Sequence, residues 1–225
     1  MNAIEMIYQF ELYLGTLDMV LQKPKTRDIL DFLNIAQGDA HENAYRMMDA
    51  DEYQKKLLAP FMTIDKEIST FTPYTGSIPN AVRIALPSDL LYVIREELKV
   101  NVDEFGRIGN LFGPTIRGVR PIDFDFYNTN KRNPVRMPNY EESWRLDAKY
   151  FIDVDAGTPE HLLIMAEGIV PETYYVSYIK NVTDLTEEIT SVSEFPEWHH
   201  DSIVKEAVQL YAKVRSPQQE PQKTG

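Results

Sequence analysis

The chain has no cysteine, so disulfide bonds and thiolate metal sites are excluded. Basic residues are in short supply, with 23 Lys and Arg against 35 Asp and Glu, a formal net charge of −12. Nucleic-acid affinity comes mainly from lysine and arginine meeting phosphates, so this balance argues against tight general binding to DNA or RNA. An acidic wall instead repels a duplex and keeps it from sticking, which suits a conduit better than a grip. Long apolar runs are also missing. No stretch approaches the roughly 18 to 20 apolar residues of a membrane span. Glu5, Glu11 and Asp18 interrupt the N-terminal segment and no basic region precedes it. A secretory signal is therefore not expected.

What remains is enough for a substantial core. Hydrophobic residues make up 43% of the 225 positions, which excludes wholesale disorder. A chain of this length forms one large domain or two small ones, burying roughly 70% of the surface it exposes unfolded.

The apolar spacing predicts a helix over residues 2–22, with Ala3, Ile7, Phe10, Leu14, Leu17 and Leu21 in steps of four and three. Lys23-Pro24-Lys25 breaks it. Thr26 is placed to cap a second helix with Ile29, Leu30, Leu33, Ala36 and Ala40 on its inner face, ended or bent at Gly38. A short third helix over 51–58 stops before Pro60. The alternation then changes to that of strands. Residues 81–86, 90–94, 143–146, 150–154, 162–166 and 174–179 read as strands, with 90–94 a buried one, and 100–118 as a glycine-spotted hairpin. Asp123-Phe-Asp-Phe-Tyr127 fits either a strand with both aspartates on one face or a helical turn. Residues 105–142 read as a long proline-bearing loop of the kind that is usually functional. Near the C-terminus, Ile203, Val204, Ala207, Val208, Tyr211 and Val214 form the apolar stripe of a helix begun at Pro196. Together these predict an α+β protein: an N-terminal helical hairpin and a C-terminal helix packed beside an antiparallel β-sandwich or barrel. The boundaries are 1–62 helical, 63–190 β-rich, 191–215 the C-terminal helix on the N-terminal helices, and 216–225 a disordered tail.

Signs of chemistry are few. His199-His200-Asp201 invites a metal reading, but neighbours on a helix point about 100° apart, whereas zinc helices use i, i+4 pairs. His41 and His161 have no partner at ligand spacing. Asp123 and Asp125 raise a hydrolase with paired carboxylates, which needs a set separation in a cleft. Gly106-Arg-Ile-Gly109 lacks the lysine and hydroxyl residue of a phosphate loop. No catalytic residue, cofactor or metal is assigned. Arg117, Arg120, Lys131, Arg132 and Arg136 form the one basic cluster. Nucleic-acid contact is one reading of it; in so acidic a chain, a salt-bridged contact with an acidic neighbouring subunit is the favoured one.

Several phrases in order carry a resemblance. They are Thr26-Arg-Asp-Ile-Leu-Asp-Phe-Leu-Asn-Ile-Ala-Gln37, Leu86-Pro-Ser-Asp-Leu-Leu-Tyr92, Asn133-Pro-Val-Arg-Met-Pro138 and Trp144-Arg-Leu146. Tyr174 to Lys180 and Phe195-Pro-Glu-Trp-His-His-Asp-Ser-Ile-Val204 complete the set. Across about residues 1 to 215 the chain resembles the neck ring or head-to-tail connector proteins of crAss-like tailed bacteriophages. The resemblance implies a non-enzymatic virion component, made in the host cytoplasm and built into the neck as a twelve-fold ring. Its implied partners are further copies, the portal or adjacent ring proteins, and genomic DNA that passes without specific binding. No membrane is implied. The competing expectation is a soluble β module that binds glycan or peptide through exposed aromatics.

Overall fold

The computed structural model describes residues 1–17, 23–102, 115–133, 136–139, 142–147, 160–188 and 190–215. Leu21, Gly106 and Gly109, the strand expected over 150–154 and the tail 216–225 lie outside them. The chain divides into a helical unit, residues 1–61 with 182–225, and a β unit, residues 62–181.

The helical unit is built from both chain ends. Helix α1 (Ala3–Thr16) starts in a capping box: Asn2 Oδ1 accepts the Glu5 N–H, and the Glu5 carboxylate accepts the Asn2 N–H. It buries Ala3, Met6 and Phe10. The expected seam is therefore right at Ala3 and Phe10 but also takes in Met6. Helix α2 (Thr26–Met47) buries all five predicted inner residues and adds Gln37, His41 and Ala44. It continues unbroken past Gly38, since one glycine inside a helix costs only about 1 kcal/mol relative to alanine. Lys25, not Thr26, holds the N-cap position.

Helix α3 (Glu52–Leu58), capped by the Asp51 carboxylate on the Tyr53 N–H, leads into a 3₁₀ turn at Ala59–Phe61. Helix α5 (Glu197–Arg215) packs against α1 and α2 through Ile203, Val204, Ala207, Val208 and Tyr211. Val214, expected on that stripe, is exposed instead. Aromatic edges lock the contact: Tyr211 meets Phe10 at 5.9 Å and Phe32 at 5.4 Å. The segment 182–196 belongs with these helices. Asn34 pairs both ways with the Leu185 backbone at 2.8 and 3.1 Å, and Ser193 donates to Gln37 at 2.7 Å.

The β unit is a single curled sheet of eight strands in the order β1-β8-β4-β5-β6-β7-β3-β2. The strands are β1 (Met62–Ile68), β2 (Thr72–Pro73), β3 (Ala81–Ala85), β4 (Leu90–Val102), β5 (Thr115–Pro121), β6 (Glu142–Asp147), β7 (Glu160–Ile164) and β8 (Ile169–Lys180). Pairing is antiparallel except between β5 and β6, where Gly118 faces Glu142 and Pro121 faces Arg145 in parallel. The sheet is therefore mixed, not purely antiparallel. A parallel pair needs a crossover of a dozen or more residues, usually carrying a helix. Helix α4 (Phe124–Asn130) is that helix, with the Asp123 carboxylate accepting the Phe126 N–H at 2.6 Å. Asp123-Phe-Asp-Phe-Tyr127 thus takes its helical alternative, and 105–142 is not one loop.

The curl has a covalent cause. Strands β7 and β8 lie four steps apart in the sheet, yet only Met165–Gly168 connect them. Four steps across a flat sheet span about 19 Å. The connection reaches about 17 Å at full extension, and it is shortened by a turn in which the Ile169 N–H meets Ala166 O at 3.3 Å. Gly168, at φ 81°, supplies the left-handed residue of that turn. The two strands meet only if the sheet rolls up.

Rolling gives the sheet two buried faces. Leu98, Val100, Val119, Leu163, Tyr174 and Val176 belong to one core. Residues of opposite parity, Trp144, Leu146, Leu162 and Ile164, pack under Tyr127 of α4 in the other. The start of β4, expected to be a buried strand, is half open: Leu91 and Ile94 are exposed. There β4 pairs with β8 alone, since β5 joins it only from Glu97 to Val100.

Within the first core, four polar residues join strands that are not neighbours. Tyr174 donates to Glu96, and His161 Nδ1 lies 3.3 Å from the Tyr174 hydroxyl and 3.4 Å from Glu96 Oε1. Arg145 reaches Glu96 with Nε at 3.4 Å and His161 Nε2 at 3.0 Å. Burial, with the Glu96 charge second, pushes the Tyr174 phenol far above its ordinary range, so it acts as a donor. Tyr174→Phe removes one hydrogen bond to a carboxylate that keeps Arg145 and His161, a loss of about 1–3 kcal/mol, whereas Glu96→Ala removes the group all three share and leaves Arg145 only the more exposed Asp147 at 3.6 Å, a loss of about 3–5 kcal/mol. Glu96→Ala should therefore destabilise the protein more than Tyr174→Phe in urea unfolding. A loss below about 1 kcal/mol for Glu96→Ala would show that the cluster does not hold the curl.

Candidate subunit interface

The basic cluster divides by strand parity. On β5, Arg117 shares the face of Val119 and is 5% exposed, pointing into the core. Arg120 has the opposite parity and emerges beside α4, with its guanidinium 4.9 Å from the centre of the Phe126 ring and 3.9 Å from Glu142. Lys131, just past the end of α4, lies over Tyr127 at 5.6 Å and bonds Asn128 at 2.9 Å. Arg132 and Arg136 are exposed on the following turn. Of the five predicted contact residues, Arg120, Lys131 and Arg136 therefore lie around α4, Arg132 is exposed next to Lys131, and Arg117 is turned inward.

The same surface is concave and partly apolar. A cleft of about 360 Å³ is lined by Arg120, Phe126, Arg136, Met137, Asn139 and Glu142. A second, of about 310 Å³, lies between Lys131, Met137, Pro138, Trp144 and Ile164. Phe124 and Met137 stand exposed between the charges. Arginine and aromatic side chains around an apolar centre are what strong protein contacts use.

A further surface had no sequence signal assigned to it. Helix α1 turns Ile4, Tyr8 and Leu12 outward, at 47, 66 and 52% exposure, opposite its buried face. Their i, i+4, i+8 spacing makes a continuous apolar stripe. A helix apolar on two faces needs a second cover; reading α1 for a single seam obscured this.

The other predicted chemistry resolves into structure. His200 is buried; its Nε2 donates to Phe195 O at 2.7 Å, and its Nδ1 faces the Met1 α-amino group at 2.8 Å. Asp201 bonds the Tyr13 hydroxyl and Lys205, the latter at 2.7 Å, and these contacts hold its carboxyl below the usual range, Lys205 first. His199 packs by Phe195 and Trp198. Among the described residues, no three His, Asp or Glu side chains converge as a metal site would require. Nor is any described helix long and apolar enough to cross a membrane.

The model of the phage tail ring protein 3/4 family matches residues 33–223. The chain belongs to this family of crAss-like phage ring proteins. Membership implies a structural component of the phage virion. No curated protein matches it.

Burial, the largest cause for each, lowers both His199 and His200 below the ordinary imidazole range. The unfolded chain then binds protons more readily than the folded one. Stability from these groups is complete above about pH 6.5 and is lost as pH falls through the lower folded-state values. Urea midpoints should fall on going from neutral to mildly acid pH. The decline should shrink in the H199Q/H200Q variant; an equal decline in the variant would rule these histidines out as its cause.

Proposed function

We propose that copies of this ring protein close around an axis, as a dodecamer, in the neck between portal and tail, and that the genome passes through the hole during packaging and ejection. The observation that carries this reading is the family match over residues 33–223. Portal or adjacent ring proteins are its neighbours, and the chain serves as a building block with no catalytic residue.

Three physical features support it. A closed ring needs two unlike faces per subunit, each meeting the other on the next copy, and the α1 stripe and the α4 surface are chemically unlike. Sheet edges are poor templates for joining copies. Edge strand β2 has two residues, one of them Pro73, and edge strand β1 is bulged between Thr63 and Lys66 with Asp65 at φ 48°. Assembly then falls to side-chain surfaces. Finally, a net charge of −12 per copy keeps a passing duplex from adhering.

Native mass measurement and negative-stain imaging of the chain, alone and with its neck neighbours, should give rings of one size. Virions with the protein absent, or scattered singly off the axis, would end the proposal. The purified protein should leave duplex DNA unshifted at low salt; a clear shift at submicromolar protein would contradict the conduit role.

A further inference from the structure

The ring reading leaves open which two faces meet, and charge selects them. Each copy is strongly acidic, so copies repel one another at a distance. The surface around α4, with Arg120, Lys131, Arg132 and Arg136, is where another acidic copy is attracted. Its own acids are partly engaged there: Asp123 caps α4 and Glu142 lies by Arg120. Helix α1 is the complement. Its charged residues are Glu5, which closes the capping box, and Glu11, half exposed and 3.4 Å from Lys23; no lysine or arginine lies between Ala3 and Thr16. Between them runs the outward apolar stripe centred on Tyr8.

Resting on the ring reading, we infer that the outer face of α1 in one copy seats against the α4 surface of the next, with Tyr8 entering the cleft between Arg120 and Arg136. Three features fit together. The stripe Ile4, Tyr8 and Leu12 covers Met137 and Phe124, which are otherwise wet. Tyr8 is the most exposed of the three, and its ring meets the Arg120 guanidinium, which already sits against the Phe126 ring. Glu11 then lies at the rim near Arg132 and Arg136, where charge sets orientation and encounter rate. The contact is heterologous, so it propagates from copy to copy and closes when the rotation allows.

The lack of cysteine makes the test clean. Leu12→Cys and Met137→Cys are prepared singly, mixed under conditions where the wild-type chain assembles, and treated with a short bismaleimide. Covalent dimers should form in the mixture and in neither variant alone, and the double variant should give a ladder. Tyr8→Ala should raise the concentration for half-assembly about tenfold or more. R132E/R136E should weaken assembly, and adding Glu11→Lys should restore part of it. Assembled rings without the mixed cross-link, or L12C cross-linking to itself, would overturn this contact and leave the ring intact. A wild-type chain that forms no ring, alone or with its neck neighbours, would remove the ring reading and this contact with it.

Discussion

The short connection from β7 to β8 governs the β unit. A chain of four residues cannot bridge four strand spacings on a flat sheet, so Met165–Gly168 oblige the sheet to roll. Rolling brings the β4–β8 wall towards the β6–β7 wall. Glu96, Arg145, His161 and Tyr174 then meet on the inner side. Apolar packing is non-directional and tolerates sliding. Buried polar groups do not, because a one-residue slip would turn each to the other face and leave it unsatisfied. The network thus fixes the register in which the roll is held.

That inner register decides the outer surface. Arg145 can reach Glu96 only if Trp144 and Leu146 point outward, and those two residues are what α4 covers. The parallel pairing of β6 with β5 in turn requires the crossover that carries α4. The basic, aromatic surface therefore gathers where β5 (Arg120), α4 (Phe126) and the turn beyond it (Arg136) come together. A binding surface carried on regular elements avoids much of the ordering cost that a mobile loop brings.

The helices were legible in the sequence because their inner residues recur with the helical period. Ile29, Leu30, Leu33, Ala36 and Ala40 on α2 lie where their spacing puts them, as do Ile203 to Tyr211 on α5. Misses came where a local pattern had two meanings. Leu90–Ile94 is an unbroken apolar run, but the number of strands beside it set its exposure. At Asp123–Tyr127 the sequence allows both a strand and a helical turn, and the parallel β5–β6 pairing decides for the helix that Asp123 caps. Strand β1, rich in exposed charge, showed no alternation to find. Of the five basic residues, Arg120 and Arg136 line one cleft and Lys131 the next, whereas strand parity turns Arg117 inward.

By itself, the sequence determined the charge balance, the absence of thiol chemistry, the faces of the long helices and the family to which the chain belongs. These follow from composition, from a short period, or from the order of recognisable phrases. Tertiary structure alone decided the sheet order, the buried polar network, and which arginines reach the surface. Each of these depends on segments far apart in the chain: Glu96 and Tyr174 are 78 residues apart, and nothing local records that they touch.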